Sequence, residues 1–322
     1  MTARAHLLLA LLLAFAFGLS LALPWSDLAA LFEADRELAW AILIELRLPR
    51  TLLALIYGAT LAAAGAAVQA LFANPLASPD LTGTTSGAAL GAAVTAYLIG
   101  FSGPLALSLG AVAGALGALL LLLMLAGPRA ETSTLLLAGL AISALAGALT
   151  TLALALAPSP FAFYDAYDWL MGSLVDRSLT QAAFAGAPAA LAIVCLLRLR
   201  RPLDALALGE EVAQSMGHDI VRLRRLVVCL TAFGVGACVA ICGAIGFVGL
   251  VAPIFARRLT GGHPGRAIWP AAMFGALLLA LADVAVRAAP LGRTLPIGVL
   301  TALLGAPFFL WLVANMRWRI GR

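Results

Sequence analysis

The chain has 322 residues, of which 63% are hydrophobic and 11% are charged, and its mean hydropathy is +1.06. Soluble domains carry about 25% charged residues, so the composition excludes a water-soluble fold and indicates an integral membrane protein. The net charge of +5 comes from a sequence with no lysine, and this excludes a P-loop ATPase within the chain because that loop requires a lysine.

No long polar block interrupts the sequence, so residues 1–322 are predicted to form a single transmembrane domain. A helix needs about 20 apolar residues to cross the hydrocarbon core. The first stretch could instead be a signal peptide, because it is N-terminal and ends near "LALPWS", but it is long and embedded residues follow it. The predicted spans are 5–23, 51–72, 83–101, 104–126, 135–157, 179–197, 267–288 and 296–316.

The apolar stretch 226–258 is too long for one crossing and short for two. Two crossings place fourteen of the twenty arginines on the cytoplasmic side, whereas one crossing divides them equally. Because cytoplasmic loops are rich in basic residues, we predict two crossings, with a break at "GAIGFVGL" (243–250). The chain then has ten transmembrane helices and two cytoplasmic termini.

Small residues suggest close helix contacts. Gly83, Gly87 and Gly91 form a GxxxGxxxG pattern, and Gly110 and Gly114 repeat it. Small residues at this spacing allow helix backbones to approach in lipid, so ordinary helix packing is the simplest interpretation.

The segment "NPLASP" (74–79) follows the second predicted span on the cytoplasmic side. A residue before proline disfavours the helical conformation, so Asn74 and Pro75 end that span. Irregular backbone at membrane depth needs cover from protein or a water-filled cavity. The segment is therefore either a gate loop that lines a pore or a plain cytoplasmic turn.

Asp283 is the acidic residue within a confidently predicted span, and it lies four residues before Arg287. This spacing puts the two side chains on one helix face, which favours a structural ion pair near the outer surface. An intramembrane acid could alternatively couple transport to protons. Arg47, Arg50 and Arg287 all lie at outer helix ends, where arginine side chains can extend to the headgroups.

The run 203–219 predicts two short helices at the cytoplasmic surface. Pro202 and Asp204 can begin the first helix, Gly209 interrupts it, and Gly217 can end the second. Glu210 and Glu211 then lie in a first turn, where the helix dipole favours acids. The pattern by itself allows a helix that lies on the lipid surface.

Groups for catalysis or metal binding are sparse. The four cysteines lie in or beside apolar segments without a CxxC pair, and the three histidines lie in predicted loops or at the chain start. HExxH and GxSxG motifs are absent from the sequence. We therefore predict no catalytic residues, no metal site and no cofactor bound by this chain, and a membrane enzyme is disfavoured.

Seven blocks resemble the membrane permease subunits of ATP-binding-cassette importers for iron–siderophores, haem and cobalamin. The resemblance covers nearly the whole chain, and the blocks follow the family's order. They include "LRLPRTLLALIYGATLAAAGAAVQALFANPLASPDLTG", "WLMGSL", "LDALALGEEVAQSMG" and "GAIGFVGLVAP"; all seven span 46–83, 135–145, 169–174, 203–217, 243–253, 275–287 and 295–312.

The resemblance implies an all-α integral membrane protein with the BtuC-like permease fold of type II importers. It also implies a second permease subunit, identical or paired, two separate ATPase subunits that carry ATP and magnesium, and a periplasmic or lipid-anchored binding protein. The expected location is the bacterial inner membrane, and no nucleic acid partner is expected.

The family also implies roles for individual residues. Arg47, Arg50 and Arg287 would meet acidic residues of the docked binding protein. The coupling element that inserts into the ATPase would contain Leu206, Gly209, Glu210, Glu211 and Gly217. The cytoplasmic gate would be formed by Asn74, Pro75, Leu76, Pro79, Thr132 and Ser133, although the sequence alone identifies Thr132 and Ser133 as N-caps.

Two positions depart from the family pattern: Ile254 replaces the usual histidine after "GLVxP", and Thr294 replaces the usual glutamate before "LPxG". Either change could alter a helix-end or docking contact. The expected function is import of a ferric siderophore, with haem or cobalamin as alternatives within the family. The alternative from another class is a secondary transporter that uses Asp283 for proton coupling.

Overall fold

The computed structural model describes residues 3–101, 103–127, 132–157, 159, 163–164, 167, 169–289 and 295–320. Regular structure in these ranges is helical, and no strand occurs within them. The helices are α1 (Ala3–Ala22), α2 (Trp25–Ala34), α3 (Arg36–Ala41), α4 (Leu48–Leu71), α5 (Thr84–Tyr97), α6 (Pro104–Ala126), α7 (Thr132–Ala155), α8 (Leu179–Arg198), α9 (Arg200–Leu206), α10 (Glu210–Ser215), α11 (Ile220–Cys242), α12 (Val248–Leu259), α13 (Ile268–Ala288) and α14 (Ile297–Ile320). A π-helical turn, Ile42–Arg47, leads into α4, and a 3₁₀ turn, Pro79–Thr82, precedes α5.

Helix α4 lies at the centre of the bundle. It packs against α8, α11, α12 and α13, and most of its residues are buried. Its contact with α13 is backbone to backbone, because a Cβ on Gly58 or on Gly275 would collide with the carbonyl of the other glycine. The predicted glycine pattern also forms close backbone contacts, here between α5 and α6. Gly91 packs on the Gly110 carbonyl and Gly87 packs on Gly114. Alanine and glycine thus determine how closely these helices approach.

The break predicted at 243–250 is present, because α11 ends at Cys242 and α12 begins at Val248. Gly243 and Phe247 have φ values of 72° and 66°, and these left-handed conformations separate the two helices. Helix α12 has 12 residues and α5 has 14. The predicted span 83–101 is therefore too long, since the helix ends at Tyr97.

Within the described ranges, seven helical segments are long and apolar enough to cross a membrane. They are Ala5–Ala22, Arg36–Leu71, Leu105–Leu125, Thr134–Ala155, Leu179–Arg198, Ile220–Cys242 and Ile268–Ala288. Ile297–Leu312 is a shorter apolar helix.

Residues 25–47 are helical, which the span analysis did not predict. Asp35 ends α2 and caps α3, because its carboxylate accepts hydrogen bonds from the backbone N–H groups of Glu37 and Leu38, both at 3.0 Å. An aspartate followed by an apolar run is an N-cap signal in the sequence. These helices lead from α1 to α4, at the end of the bundle where the sequence places the outer surface. We call it the outer end, and we call the end with α9 and α10 the inner end.

Candidate functional site

The outer end contains a network of one acid and two arginines from α4 and α13. The Asp283 side chain is fully buried, and its Oδ1 accepts a hydrogen bond from Arg50 Nε at 2.8 Å. Arg287 Nε lies 3.1 Å from Asp283 Oδ2, although the N–H is not directed at the oxygen and the contact is electrostatic. The predicted ion pair between Asp283 and Arg287 is therefore present, and Arg50 joins it from a position far away in sequence.

The network extends to α1. Arg287 donates to the Ser20 carbonyl at 2.8 Å and to the Ser20 hydroxyl at 2.7 Å, and that hydroxyl also contacts Thr51 Oγ1 at 2.8 Å. These contacts make α1 part of the folded bundle.

Arg47 lies beside this network at the end of the π-helical turn. Its Nη1 donates to the carbonyls of Leu21 and Ala22 at 2.8 and 3.1 Å. Arg47, Arg50 and Arg287 line one small cleft of about 230 Å³ together with Asp176. The structure thus brings the three arginines predicted to dock a partner into one cleft, and all three also make contacts within the chain.

The segment that follows α4 is covered by protein. Asn74 Oδ1 accepts from the Leu76 N–H at 2.9 Å, which forms a tight turn before the buried Pro79. The carbonyl of Pro79 accepts from the hydroxyls of Thr82 and Thr84 at 2.6 and 3.3 Å. The two threonines that follow Pro79 therefore satisfy its backbone carbonyl.

Asp80, in the same turn, is a functional candidate that the sequence analysis did not select. Its Oδ1 accepts from the Thr85 hydroxyl at 2.7 Å, and its carbonyl accepts from Ser143 at 3.1 Å. Burial raises the pKa of the Asp80 carboxyl, and the hydrogen bond from Thr85 opposes that shift. The turn is thereby joined to α5 and α7.

The break between α11 and α12 is held from three sides. The Tyr57 hydroxyl, fully buried on α4, donates to the Gly243 carbonyl at 2.9 Å and accepts from the Ile245 N–H at 3.3 Å. The Ser173 N–H donates to the Cys242 carbonyl at 2.8 Å. On α14, a Cβ at Gly298 would lie only 2.9 Å from the Ala244 carbonyl oxygen within the break. The break is thus a fixed feature of the described fold.

A cavity of about 510 Å³ lies between α5, α7 and the segment before the break. Hydroxyl groups line one part of it, from Thr85, Ser86, Thr150 and Thr151. Phe163 and Tyr167, whose rings stack with centroids 6.1 Å apart, line another part. Such a surface can contact a large, mainly apolar ligand and offers it a few hydrogen bonds. Sequence reasoning missed this cavity because its walls come from separate elements.

At the inner end the structure contains the two short helices predicted around residues 203–219. Helix α9 begins at Arg200, three residues before the predicted segment, and α10 extends from Glu210 to Ser215. Gly209 and Gly217 adopt φ values of 110° and 84°, as expected for glycines that separate and end helices.

The residues that these two helices expose are not all the ones predicted to contact the ATPase. Leu206 is 8% exposed and packs into the core, whereas Leu208, Val212 and Met216 are 66%, 42% and 57% exposed. Glu210 accepts from Arg224 Nη2 at 2.8 Å and thereby joins α10 to α11. Glu211 points outward. We call Leu208, Val212 and Met216, spaced four residues apart, the apolar stripe.

The structure does not describe the side chains of several predicted residues. Helix α7 begins at Thr132, but the side chains of Thr132 and Ser133 are outside the described part, and so is Thr294. Ile254 is half-buried inside α12, directly after Pro253, and not at a helix end. In the described ranges, no group of three or more His, Cys, Asp or Glu residues could hold a metal.

Comparisons with known proteins give consistent matches over most of the chain. The profile of the FecCD transport family matches residues 6–315. The vitamin B12 import system permease protein BtuC of Citrobacter koseri is 42% identical over 314 residues, which cover 95% of this chain and 92% of the relative. The protein of the same name from Salmonella typhi is 44% identical over 275 residues, covering 84% and 82%.

Solved structures give the same architecture. A metal-chelate type ABC transporter in an inward-facing conformation has a TM-score of 0.86 and 32% identity, and the match covers 98% of this chain and 100% of that chain. PsaBC from Streptococcus pneumoniae, in complex with Fab, has a TM-score of 0.54 and 20% identity, covering 80% and 88%. This second match supports the fold alone.

Proposed function

Because this chain belongs to the FecCD transport family and is the permease of an ABC importer, we propose that it moves a corrinoid of the vitamin B12 class across the bacterial inner membrane. The observation that carries this proposal is the full-length similarity to permeases named for vitamin B12 import. The siderophore prediction came from short blocks shared across the family and has less support.

The proposed topology has ten crossings and both termini in the cytoplasm. The seven long apolar segments supply most of them, and α5, α12 and the apolar part of α14 complete the count. Helix α12 is short, but it follows α11 through a break held by Tyr57. Together α11 and α12 cross the membrane and return, which agrees with the arginine distribution.

The proposed partners are a second permease subunit, identical or paired, two ATPase subunits and a periplasmic or lipid-anchored binding protein. Exposed apolar residues at the inner end fit an ATPase contact, since such patches mark interaction sites. The outer cleft fits docking, because an arginine guanidinium has five N–H donors and can hold a second carboxylate while it contacts the chain. Hydrolysis of ATP occurs on the partner subunits, and this chain needs no catalytic group or cofactor.

The cavity between α5 and α7 is the proposed transit surface for the ligand. Its threonine and serine hydroxyls and stacked aromatic rings suit a large chelate, and none of the described residues that line it is charged. A second subunit opposite would add its own cavity to the path. The gate at NPLASP would then close below it, because Thr85 both lines the cavity and binds Asp80.

The test is ATP hydrolysis and ligand uptake by the permease reconstituted with its ATPase in sealed proteoliposomes. Four states of the binding protein are compared: absent, unloaded, loaded with cyanocobalamin, and loaded with a ferric siderophore or haem. The proposal expects stimulation by the binding protein and uptake of cyanocobalamin. Uptake of ferric siderophore or haem without cyanocobalamin would overturn the corrinoid assignment. Transport that needs a proton gradient and no ATPase would overturn the importer and favour proton coupling through Asp283.

The outer cleft is tested in the same system with Arg47→Ala. We expect weaker binding-protein docking, seen as a higher concentration for half-maximal stimulation. Arg36→Ala is the matched control, since Arg36 is an exposed arginine on α3 outside the cleft. Equal docking by the two variants would contradict the docking role of Arg47.

A further inference from the structure

The inner helices are joined to the bundle by two carboxylates. Asp204 on α9 accepts a hydrogen bond through Oδ1 from the backbone N–H of Gly265 at 2.8 Å. Its Oδ2 lies 3.7 Å from Arg266 Nε, whose side chain is 66% exposed. Glu210 makes the second junction, to Arg224 on α11. Asp204 therefore connects α9 to the turn that begins α13, and Glu210 connects α10 to α11.

The junction at Asp204 includes a close backbone contact. A Cβ on Gly265 would collide with the Arg200 carbonyl, so the turn before α13 lies directly on the start of α9. Leu203, next to Asp204, is fully buried in the core. The hydrogen bond thus sits in a packed contact where α9 has little room to slide relative to α13.

Helix α13 continues from this junction to the outer end without a break. It extends from Ile268 to Ala288 and pairs with α4 through the contact of Gly58 with Gly275. At its far end Asp283 binds Arg50 of α4. Helices α4 and α13 therefore contact the outer cleft at one end. At the other end they contact, through Asp204, the helices α9 and α10, which we call the coupling helices.

We propose that α4 and α13 act as one rigid strut between the outer cleft and the coupling helices, and that Asp204 is the positioning residue that joins the strut to α9. The inference rests on the proposed importer function and deepens it. Binding at one site affects another only through a free-energy difference between states that both sites share. The strut supplies such a shared element, because docking acts on α4 and α13 while the ATPase acts on α9 and α10.

Asp204 holds this junction through a hydrogen bond from the backbone N–H of Gly265. Three variants can therefore separate the role of this hydrogen bond from the role of the charge. Asp204→Ala removes the acceptor. Asp204→Asn keeps an oxygen that can accept from the Gly265 N–H but removes the charge near Arg266. Arg266→Ala removes the exposed charged partner and leaves the hydrogen bond. If position matters, the alanine variant at 204 is defective and the other two are close to the unaltered chain.

The measurement compares basal ATPase activity, stimulation by the loaded binding protein, and transport per ATP in sealed proteoliposomes. In Asp204→Ala we expect stimulation by the binding protein and transport per ATP each to fall by a factor of about five or more, because coupling between sites is usually on this scale. The basal ATPase rate should change less. Equal stimulation in Asp204→Ala and the unaltered complex would overturn the inference. An unaltered complex with no ATPase association or stimulation would instead overturn the proposed function.

A second measurement does not depend on the stability of that variant. Spin labels are placed at Ala207→Cys and His263→Cys, two exposed positions on either side of the junction, after the four native cysteines are replaced. We expect the same label distance in the resting, ATP-bound and binding-protein-docked complexes. A shift of the mean distance between states would show that α9 moves relative to α13 and would overturn the inference.

Discussion

The outer and inner ends of the molecule each contain an arginine–carboxylate ion pair, but in different environments. At the outer end Arg50 binds Asp283 at 2.8 Å, and the acid is 0% exposed. At the inner end Arg224 binds Glu210 at 2.8 Å, and the acid is 49% exposed. The contact distance is therefore the same, and burial is what separates a pair that joins two core helices, α4 and α13, from one that positions a surface helix.

The difference extends to what surrounds each pair. At the outer end, Arg287 and Arg47 donate to carbonyls of α1 and the residues just after it, so the cleft is supported by contacts within the chain. At the inner end, the apolar stripe extends into solvent beside Glu210. We infer that the outer end is shaped before a partner binds, whereas the inner end presents side chains that a partner must cover.

The largest expected effect is at Asp283. Asp283→Ala leaves the guanidinium groups of Arg50 and Arg287 close together without their carboxylate. Removing one partner of a buried ion pair costs about 3–5 kcal/mol. We expect a large fall in the thermal unfolding temperature of the purified subunit, and a smaller fall for Asp283→Asn, which keeps an acceptor for Arg50.

Asp176→Asn is the matched control for this change. Asp176 lines the same cleft but is exposed, and its φ of 54° is a conformation that asparagine also adopts. We expect its unfolding temperature to match that of the unaltered chain. An Asp283→Asn variant that is as stable as the control but has lost transport would favour proton coupling over the structural ion pair.

The second effect concerns affinity and leaves stability unchanged. Replacing Leu208, Val212 and Met216 with alanine removes the apolar stripe. Fewer than about 30% of interface residues cost more than about 1 kcal/mol when truncated. With about one such residue among the three, we expect association with the ATPase to weaken by about fivefold or more. Exposed substitutions usually alter stability within about 0.5 kcal/mol, so the unfolding temperature of the isolated subunit should not change.

Gln214→Ala provides the control for the stripe, because Gln214 is an exposed residue of α10 outside it. Both proteins are titrated with the ATPase in nanodiscs, and the dissociation constants are compared. Unchanged affinity in the triple variant would show that the stripe faces lipid, as the alternative interpretation of the 203–219 segment holds.

The sequence predicted features that depend on neighbouring residues. The break after Cys242 follows from the glycines of 243–250, and the two inner helices follow from Gly209 and Gly217. The ion pair of Asp283 with Arg287 follows from a four-residue spacing on one helix. In each case the signal lies within one or two helical turns, where spacing determines geometry.

Contacts between distant segments could not be predicted in this way. Arg50 binds Asp283 across 233 residues, and Tyr57 holds the carbonyl of Gly243 across 186. Their partners depend on which helices become neighbours, and apolar helices of similar composition give few signals for that choice. The cavity between α5 and α7 was missed for the same reason, and Leu206, which was assigned to the coupling element, is buried in the core.

The smallest expected effect is at the inner ion pair, where Glu210→Gln keeps an acceptor for Arg224 and removes the charge. Because Glu210 is half exposed, we expect a stability loss below about 1 kcal/mol. Unfolding is followed at about 0.1 and 1 M salt, since salt screens exposed charges strongly and buried ones much less. The difference between Glu210→Gln and the unaltered chain should shrink at high salt, whereas that for Asp283→Asn should persist; Glu211→Gln, in the same turn but outside the pair, is the control. Equal salt sensitivity of the Glu210 and Asp283 variants would mean that burial is not what distinguishes the two ends.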